Sequence, residues 1–253
     1  MGISQHFRRS TPTPTSTPTG TAPASSLFWP LLISNFALSA LSIANLGLIS
    51  SMVAFLLDQK HNVGSYEIDW SGTKFNLNVE PANLWVDQGH TSNGVAGYGF
   101  FLGLFGMFVA WRVRKSTTDM QQQPMKLVKA LLILQLLAVL FTLSALVFVF
   151  VVTNQTTGQS IRMPIAANTE GSNYAEFRWT PETWFKAVLD LPLADERRRN
   201  NIDSKVTNMV AWRWMLVPIF IVDVIAFGVT TWAWLKQRKN STTRASSANT
   251  IEK

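Results

Sequence analysis

The sequence predicts an all-α membrane protein: a four-helix transmembrane bundle with a small extracellular β-hairpin and a short helix. Two observations carry this prediction. Of the 253 residues, 47% are hydrophobic and only 15% are charged, a balance that is unusual for a soluble domain. The apolar residues are also gathered into four long blocks instead of recurring at helical or strand period along the chain. We therefore expect four helices that cross a bilayer.

The four predicted spans are residues 27–57, 95–113, 127–152 and 209–235. A bilayer core of about 30 Å needs about 20 helical residues, and the second block is just sufficient while the others exceed this length. A helix also satisfies its own backbone hydrogen bonds in hydrocarbon. The first block follows a polar segment and is longer than the core of a signal peptide, so we expect it to be retained.

Charge predicts how the spans are oriented. The predicted cytoplasmic side holds twelve Lys and Arg residues and two acidic residues, whereas the opposite side holds ten basic and twelve acidic residues. Because cytoplasmic segments close to spans carry an excess of Lys and Arg, we expect both termini in the cytoplasm. The net charge of +7 then lies beside anionic lipids, and we expect no nucleic acid partner.

The segments outside the spans complete the predicted organisation. They are a disordered cytoplasmic Thr/Pro tail (1–26), an outer loop with a β-hairpin (58–94), a short cytoplasmic loop (114–126), an outer loop with a helix (153–208) and a basic cytoplasmic tail (236–253). The Thr/Pro tail has no apolar period, which is typical of disorder. The chain contains no cysteine, which excludes disulfides and thiolate metal sites.

Both outer loops carry signs of regular structure. The first alternates apolar and polar residues as a β-hairpin does, with Gly72 at the expected turn and Pro81 after the second strand. The apolar positions of this alternation are Tyr66, Ile68, Trp70, Phe75, Leu77 and Val79. In the second loop, Thr180 and Pro181 predict a helix start. The apolar face that follows, before Pro192, is formed by Trp184, Phe185, Val188 and Leu189. Because two strands alone are marginal, we expect hairpin and helix to pack together as a cap.

Small residues recur on one face of the first two spans, where they allow helix backbones to approach closely. The second span has Ala96, Gly99, Gly103, Gly106 and Ala110, and the first has Ala37, Ala40, Ala44, Gly47 and Ser51. We expect these two stripes to face one another; the alternative is a contact within an oligomer. The third span brings Gln135, Ala138, Thr142 and Ala145 to one face, and the fourth Asp223, Ala226, Thr230 and Ala233. These spacings favour a bundle with a slightly polar interior.

Asp223 is the most unusual residue of the spans, because no Lys or Arg lies at equal depth. An aspartate at the centre of a membrane helix costs about 2.5 to 3.5 kcal/mol on insertion scales, so we expect it to face inward. Asn45 and Thr142 lie at comparable depth and are its predicted partners, and Gln135 is a further buried polar candidate. Asp223 is either a hydrogen-bonded, protonated structural acid or part of a proton or cation pathway.

Arg213 lies one turn inside the fourth span, next to aromatic residues. Flanked by Trp212 and Trp214, it can extend to the outer membrane surface, while Trp232 and Trp234 mark the inner surface. We predict that all five residues anchor the helix at the membrane surfaces.

A short pattern recurs at both ends of the first outer loop. Asp58 and His61 follow the first span, and Asp87 and His90 precede the second. If the first two helices are antiparallel neighbours at about 8 to 10 Å, these four side chains converge. Two imidazoles and two carboxylates could bind a divalent metal such as zinc. The alternatives are a histidine pH switch and solvated residues that end one helix and begin the next.

The order of these elements resembles the claudin-like tetraspan superfamily. The resemblance covers residues 27–235: four spans, a first outer loop with strands, Trp70 and the run Asn83-Leu84-Trp85, and a helical second loop. Claudin-type loops have glycine at the position of Asn83, followed by two cysteines. Length and tail composition are most similar to the fungal plasma-membrane branch, the eisosome and pH-signalling four-span proteins. The resemblance implies a multi-pass protein of the plasma membrane.

We find no catalytic motif in the sequence and expect a non-enzymatic protein without a cofactor, which organises or binds partners laterally in the membrane. Its expected partners are the lipid bilayer and other proteins, or further copies of itself. The alternative function is a channel or transporter component that uses buried Asp223. For an intramembrane enzyme, the third class, only the group of Asp58, His61, Asp87 and His90 approaches a convergent set of side chains.

Overall fold

The computed structural model describes residues 25–115 and 122–251. Within these residues, four helices are long and apolar enough to cross a membrane, which confirms the predicted number of candidate spans. The prediction of a disordered tail over 1–26 lies almost wholly outside the described residues. The middle of the predicted loop 114–126 and the last two residues of the tail 236–253 also lie outside them.

The elements follow in the order α1 Ser25–Asp58, a π-helical turn Gln59–Val63, β1 Ser65–Trp70, β2 Thr73–Asn78, α2 Asp87–Lys115, α3 Gln122–Thr156, α4 Met163–Asn168, α5 Pro181–Leu189 and α6 Glu196–Ile251. Each long helix extends beyond its predicted span. α2 begins at Asp87 instead of 95 and α6 at Glu196 instead of 209, each with an acidic residue in the first turn, where it interacts favourably with the helix dipole. A hydropathy pattern predicts only the apolar part of a helix, so the polar ends of these helices were not predicted.

The four long helices form a bundle in which α1 and α3 lie diagonally opposite. α1 packs against α2 and α6, and α3 packs against the same two helices. The two strands belong to the connection from α1 to α2, and α5 belongs to the connection from α3 to α6. Both connections lie at the same end of the bundle, which we call the cap end. We call the opposite end the basic end, because it carries Arg112, Arg114, Lys115 and Lys236. The predicted four-helix bundle is therefore present.

The inward faces of α3 and α6 are lined by small and polar residues. The buried residues include Gln135, Ala138, Thr142 and Ala145 on α3, and Asp223, Ala226, Thr230 and Ala233 on α6. The outward faces carry large apolar side chains instead, and Leu137, Leu140, Ile221 and Ile225 are each half exposed. The bundle thus buries several polar groups within an apolar core and has an apolar exterior, whereas the exterior of a soluble protein is largely polar.

The contact between α1 and α2 depends on the glycines of α2. An added Cβ at Gly103 would lie 2.6 Å from the backbone oxygen of Asn35, and one at Gly99 or Gly106 would collide with the side chain of Ser42 or Asn35. The predicted stripe of α2 therefore faces α1, as expected. Glycine is required here because the two backbones approach too closely for any side chain.

The predicted stripe of α1 does not face α2. Ala40, Ala44 and Gly47 are exposed, and a Cβ added at Gly47 would meet nothing within 4 Å. The face of α1 that meets α2 instead carries Asn35 and Ser39, whose hydroxyl donates to Phe100 O at 3.3 Å. Polar side chains in a membrane helix gain most from facing protein, so they take the inward face and leave the alanines outside.

The β-hairpin has the register that its sequence alternation predicts. Ile68 pairs with Phe75 and Tyr66 with Leu77, and all four side chains are buried. Ser71 and Gly72 connect the strands with positive φ angles of 53° and 79°. Two such residues form a type I′ turn, whose twist matches that of the strands. Gly72 therefore occupies the turn for its backbone conformation.

The hairpin packs against the second loop, and together they form the predicted cap. Trp184 of α5 donates from Nε1 to Val79 O at 2.7 Å, and Leu193 bridges to Ile68. Thr180 caps α5 as predicted, because its hydroxyl accepts from the backbone N–H of Thr183. The short α4 was not predicted, since its six residues are too few for an apolar period.

Candidate functional site

Asp223 lies on the inward face of α6 and is only 1% exposed. Its Oδ2 accepts a hydrogen bond of 2.6 Å from Thr142 Oγ1 of α3. Its Oδ1 has no hydrogen-bond partner within the described part of the chain. Thr142 is one of the two partners predicted from their depth in the span, and it forms a hydrogen bond with one of the two carboxylate oxygens.

Asn45 of α1, the other predicted partner, does not bond to Asp223. Its side chain is fully buried, yet neither its amide oxygen nor its amide nitrogen has a partner among residues 25–115 and 122–251. Ser42, one turn away on the same helix, also has a buried hydroxyl without a partner there. Buried polar groups are nearly always hydrogen-bonded, so this cluster of unpaired atoms requires an explanation.

A second polar contact crosses the bundle nearer the basic end. Gln135 of α3 donates from Nε2 to Asn35 Oδ1 at 3.0 Å, and Asn35 Nδ2 donates to Leu31 O at 2.7 Å. Asn35 and Gln135 stand on diagonally opposite helices, so this contact lies at the centre of the bundle. Gly106 of α2 leaves the space that the Asn35 side chain occupies.

Sequence reasoning missed Asn35, Ser39 and Ser42. The predicted stripe of the first span consisted mainly of alanines, whose side chains form no hydrogen bonds. The available signal was the spacing of the polar residues themselves, because Asn35, Ser39, Ser42 and Asn45 follow one another at intervals of four, three and three residues. Such spacing places polar groups on one side of a helix, and in a span that side faces protein.

The structure does not assemble the predicted metal group of Asp58, His61, Asp87 and His90. Among the described residues, which include all four, no set of three or more His, Asp or Glu side chains is arranged to hold a metal ion. Asp58 accepts hydrogen bonds from the neighbouring Asn62 and Gln59 side chains.

The other members of that group are also used locally or exposed. Asp87 Oδ2 accepts from Trp85 Nε1 at 2.9 Å, and both imidazoles are solvent-exposed. The physical reason is that the carboxylates satisfy residues within four positions of themselves, at a helix end and a helix start. This geometry agrees with the predicted alternative in which these residues end α1 and begin α2.

Arg213 connects the bundle to the cap. It donates from Nη2 to Glu182 Oε1 of α5 at 3.0 Å, and its guanidinium lies over the rings of Phe150 and Trp214. Trp212 points inward and is 2% exposed. The prediction that Trp212 anchors the helix at a membrane surface is therefore wrong, because its side chain packs inside the bundle. Arg213 has a carboxylate partner on α5 that hydropathy could not reveal.

Near the basic end, two of the predicted anchors, Trp232 and Trp234, each lie beside a basic group. Trp232 is 47% exposed and lies under Lys236, whose Nζ is 5.2 Å from the ring centroid. Trp234 lies under Arg238 in the same way, at 5.6 Å. Trp234 is only partly exposed and also packs against the core. Indoles paired with basic groups are typical of a membrane interface.

Within the described residues, the bundle thus buries a bonded pair, Thr142 and Asp223, between α3 and α6, and the unpaired side chains of Asn45 and Ser42 on α1. Comparison of the chain with protein-family models, with curated proteins and with solved structures finds no match.

Proposed function

We propose that this chain is a non-enzymatic multi-pass membrane protein that organises or binds partners laterally through the outward face of α1. The observation that carries the proposal is the composition of this face. Toward the basic end it carries bulky residues, Trp29, Ile33 and Phe36, which are each about 60% exposed. Toward the cap end it carries the small exposed residues Ala40, Ala44, Gly47, Ser50 and Ala54, with the larger exposed side chains Ile43, Val53 and Leu57 beside them.

The outward face of α3 differs from that of α1. Its exposed residues are bulky along most of the span, including Leu136, Leu137, Leu140, Leu143 and Val147. Lipid provides no hydrophobic drive for helix association, and close backbone approach at small residues is a main substitute. The α1 face therefore suits a partner helix, whereas the α3 face suits lipid.

Charge and aromatic residues support a bilayer orientation with the basic end in the cytoplasm. In the described helices at this end, every charged residue is Lys or Arg. Arg114 lies 4.8 Å from the ring centroid of Phe28, and Lys115 Nζ lies 4.2 Å from that of Trp111. Such pairs suit the headgroup region of a leaflet with anionic lipid.

Membership of the claudin-like tetraspan superfamily, and with it a plasma-membrane location, belongs to the same proposal. Its support is the role of the Asn83-Leu84-Trp85 run in the cap. Trp85 N–H donates to Trp179 O at 2.7 Å, and Trp179 N–H donates to Asn83 O at 3.0 Å. The run thereby joins the first loop to the second without a disulfide.

The absence of cysteine from the chain allows a direct test by disulfide cross-linking. Gly47→Cys places a thiol on the small-residue face, and Leu140→Cys places one on the bulky face of α3. In native membranes under oxidising conditions, we expect Gly47→Cys to form a cross-linked dimer or a cross-link to a partner that contains cysteine, and Leu140→Cys to form neither.

A bulky substitution completes the test. Gly47→Leu is expected to abolish co-purification of the partner or the second copy, while Leu140→Ile leaves it unchanged. Equal cross-linking at both positions, or partner recovery that is insensitive to Gly47→Leu, would contradict lateral association through α1.

A channel or transporter component is the second candidate function. It is favoured by the unpaired Asp223 Oδ1 and by the polar residues that line the bundle at two levels. Proton or cation flux into liposomes that contain the purified protein, and its loss in Asp223→Asn, would support this function. If flux into liposomes with the protein equals flux into liposomes without it, this function is excluded.

A further inference from the structure

We propose that the bundle interior holds one monovalent inorganic cation, bound between α1, α3 and α6 by oxygens of Asp223, Thr142, Asn45 and Ser42. The site does not depend on lateral association, because all four side chains face the interior of a single chain. It also does not require transport, since a resident ion can serve to hold helices together.

The charge of Asp223 favours a cation at this position. Along α6, the basic residues that precede and follow Asp223 are Arg213 and Lys236, which are ten and thirteen residues away, or about 15 and 20 Å along the helix. Arg213 is already paired with Glu182 in the cap. Thr142 is a neutral donor. A carboxylate in an apolar bundle is costly unless a positive charge compensates it, and a small cation would supply that charge.

Unpaired oxygens are available as ligands for this cation. Asp223 Oδ1, Asn45 Oδ1 and Ser42 Oγ are buried and have no hydrogen-bond partner in the described chain. Thr142 Oγ1 donates its proton to Asp223, which leaves its lone pairs available. Carboxylate, amide and hydroxyl oxygens are the ligands that hard cations prefer.

The register of the helices places these ligands at a similar level. The Asn35–Gln135 contact relates α1 to α3, and both helices run toward the cap end. Seven residues further along each helix, about 10 Å, are Ser42 and Thr142. Thr142 contacts Asp223, and Asn45 is less than one turn beyond Ser42. The Asn35–Gln135 and Thr142–Asp223 contacts thus place the four side chains at a similar depth of the bundle.

The number of carboxylates determines the class of ion. With Asp223 as the single acid, a monovalent cation gives a neutral site, whereas a divalent cation would leave a net positive charge in apolar surroundings. The competing occupant is a water cluster beside a protonated Asp223, since water can bridge unpaired donors and acceptors. The two occupants differ in their response to salt.

The test is thermal unfolding of the purified full-length protein in detergent at constant ionic strength, with NaCl or KCl replacing N-methyl-D-glucamine chloride. We expect at least one of the two cations to raise Tm saturably, by about 5 °C at one hundred times its dissociation constant. Asp223→Asn should abolish the response. Asp203→Asn, the same change at an exposed position of α6, should retain it.

A second variant keeps the proposal testable if Asp223→Asn does not fold. Asn45→Ala retains the carboxylate and should weaken cation binding about tenfold, seen as a shift of the midpoint of the salt titration. The proposal is overturned if Tm is the same in all three salts, or if Asp223→Asn responds like the wild type. Either result would indicate water and a protonated acid instead.

Discussion

Glu182 of α5 and Arg213 of α6 form a largely buried ion pair, with 3.0 Å between Glu182 Oε1 and Arg213 Nη2. The same oxygen accepts from Lys186 Nζ at 2.6 Å, but the Lys186 side chain is about half exposed. The pair joins the cap to the fourth long helix. One acceptor atom therefore has a buried partner and an exposed partner, which allows their contributions to be compared.

Removal of the buried partner is expected to cost more stability than removal of the exposed one. Arg213→Ala should lower the free energy of unfolding by about 2 kcal/mol, because a hydrogen bond to a buried charged group is lost. Lys186→Ala should cost about 0.5 kcal/mol, since solvent screens that pair. Denaturant unfolding followed by Trp fluorescence measures both, and a larger loss in Lys186→Ala would contradict the assignment.

Close packing of α1 against α2 predicts opposite outcomes for two glycines. Gly103→Ala should destabilise the bundle by about 1 to 3 kcal/mol, because the added methyl group meets Asn35 O and Ser39 N, which are backbone atoms. Gly47→Ala has open space and improves helix propensity, so its Tm should equal or exceed that of the wild type. Thermal unfolding in detergent distinguishes the two, and equal Tm values would show that the helices are further apart.

Tyr66 predicts how the cap responds to alkaline pH. Burial raises the pKa of this phenol above its usual range, and its hydroxyl donates to Gln59 Oε1 at 2.7 Å. The folded cap therefore keeps the proton that the unfolded chain releases near pH 10. Stability is fully present below that pH and falls as pH rises above it, because the unfolded state then binds fewer protons.

Comparison of wild type and Tyr66→Phe checks this pH dependence. The variant should lose stability at neutral pH through its missing hydrogen bond, by about 1 kcal/mol, but should show a shallower decline of Tm between pH 9 and pH 11. Burial also raises the pKa of Tyr174, so a remaining slope is expected in the variant. A slope as steep as that of the wild type would mean that Tyr66 is not buried in the folded protein.

Transmembrane orientation is predicted to place the cap outside the cell. Lys74→Cys lies on the exposed side of the hairpin, and Lys126→Cys lies near the start of α3 at the basic end. In intact cells, a membrane-impermeant maleimide should label only Lys74→Cys, and Lys126→Cys should react after permeabilisation. The cysteine-free parent chain is the blank, and the reverse labelling pattern would invert the topology.

Local features of this protein were predictable because their causes are local. Long apolar blocks predict four candidate spans, alternation over residues 65–79 predicts the hairpin, and Thr180 followed by Pro181 predicts the start of α5. Each depends on residues that are close in sequence. The same holds for the inward direction of Asp223, since an acid in an apolar helix has one favourable direction to face.

The face of α1 that meets α2 was not predictable, because that choice depends on residues far apart in the chain. Small residues marked two faces of α1 and α2, but the buried Asn35 and Ser39 turned the alanine stripe of α1 outward. Arg213 was expected at the membrane surface, but its partner Glu182 lies on α5, 31 residues away in the sequence.

By itself, then, the sequence determined that four apolar helices and a small cap exist, because periodicity and helix capping are properties of neighbouring residues. Only the tertiary structure decided that Asn35 contacts Gln135 and that Thr142 contacts Asp223. It also decided that Asp58, His61, Asp87 and His90 are not arranged to hold a metal ion. Hydrogen bonds act over about 3 Å, so a pairing between distant residues is specified only when the packed helices bring two particular side chains together.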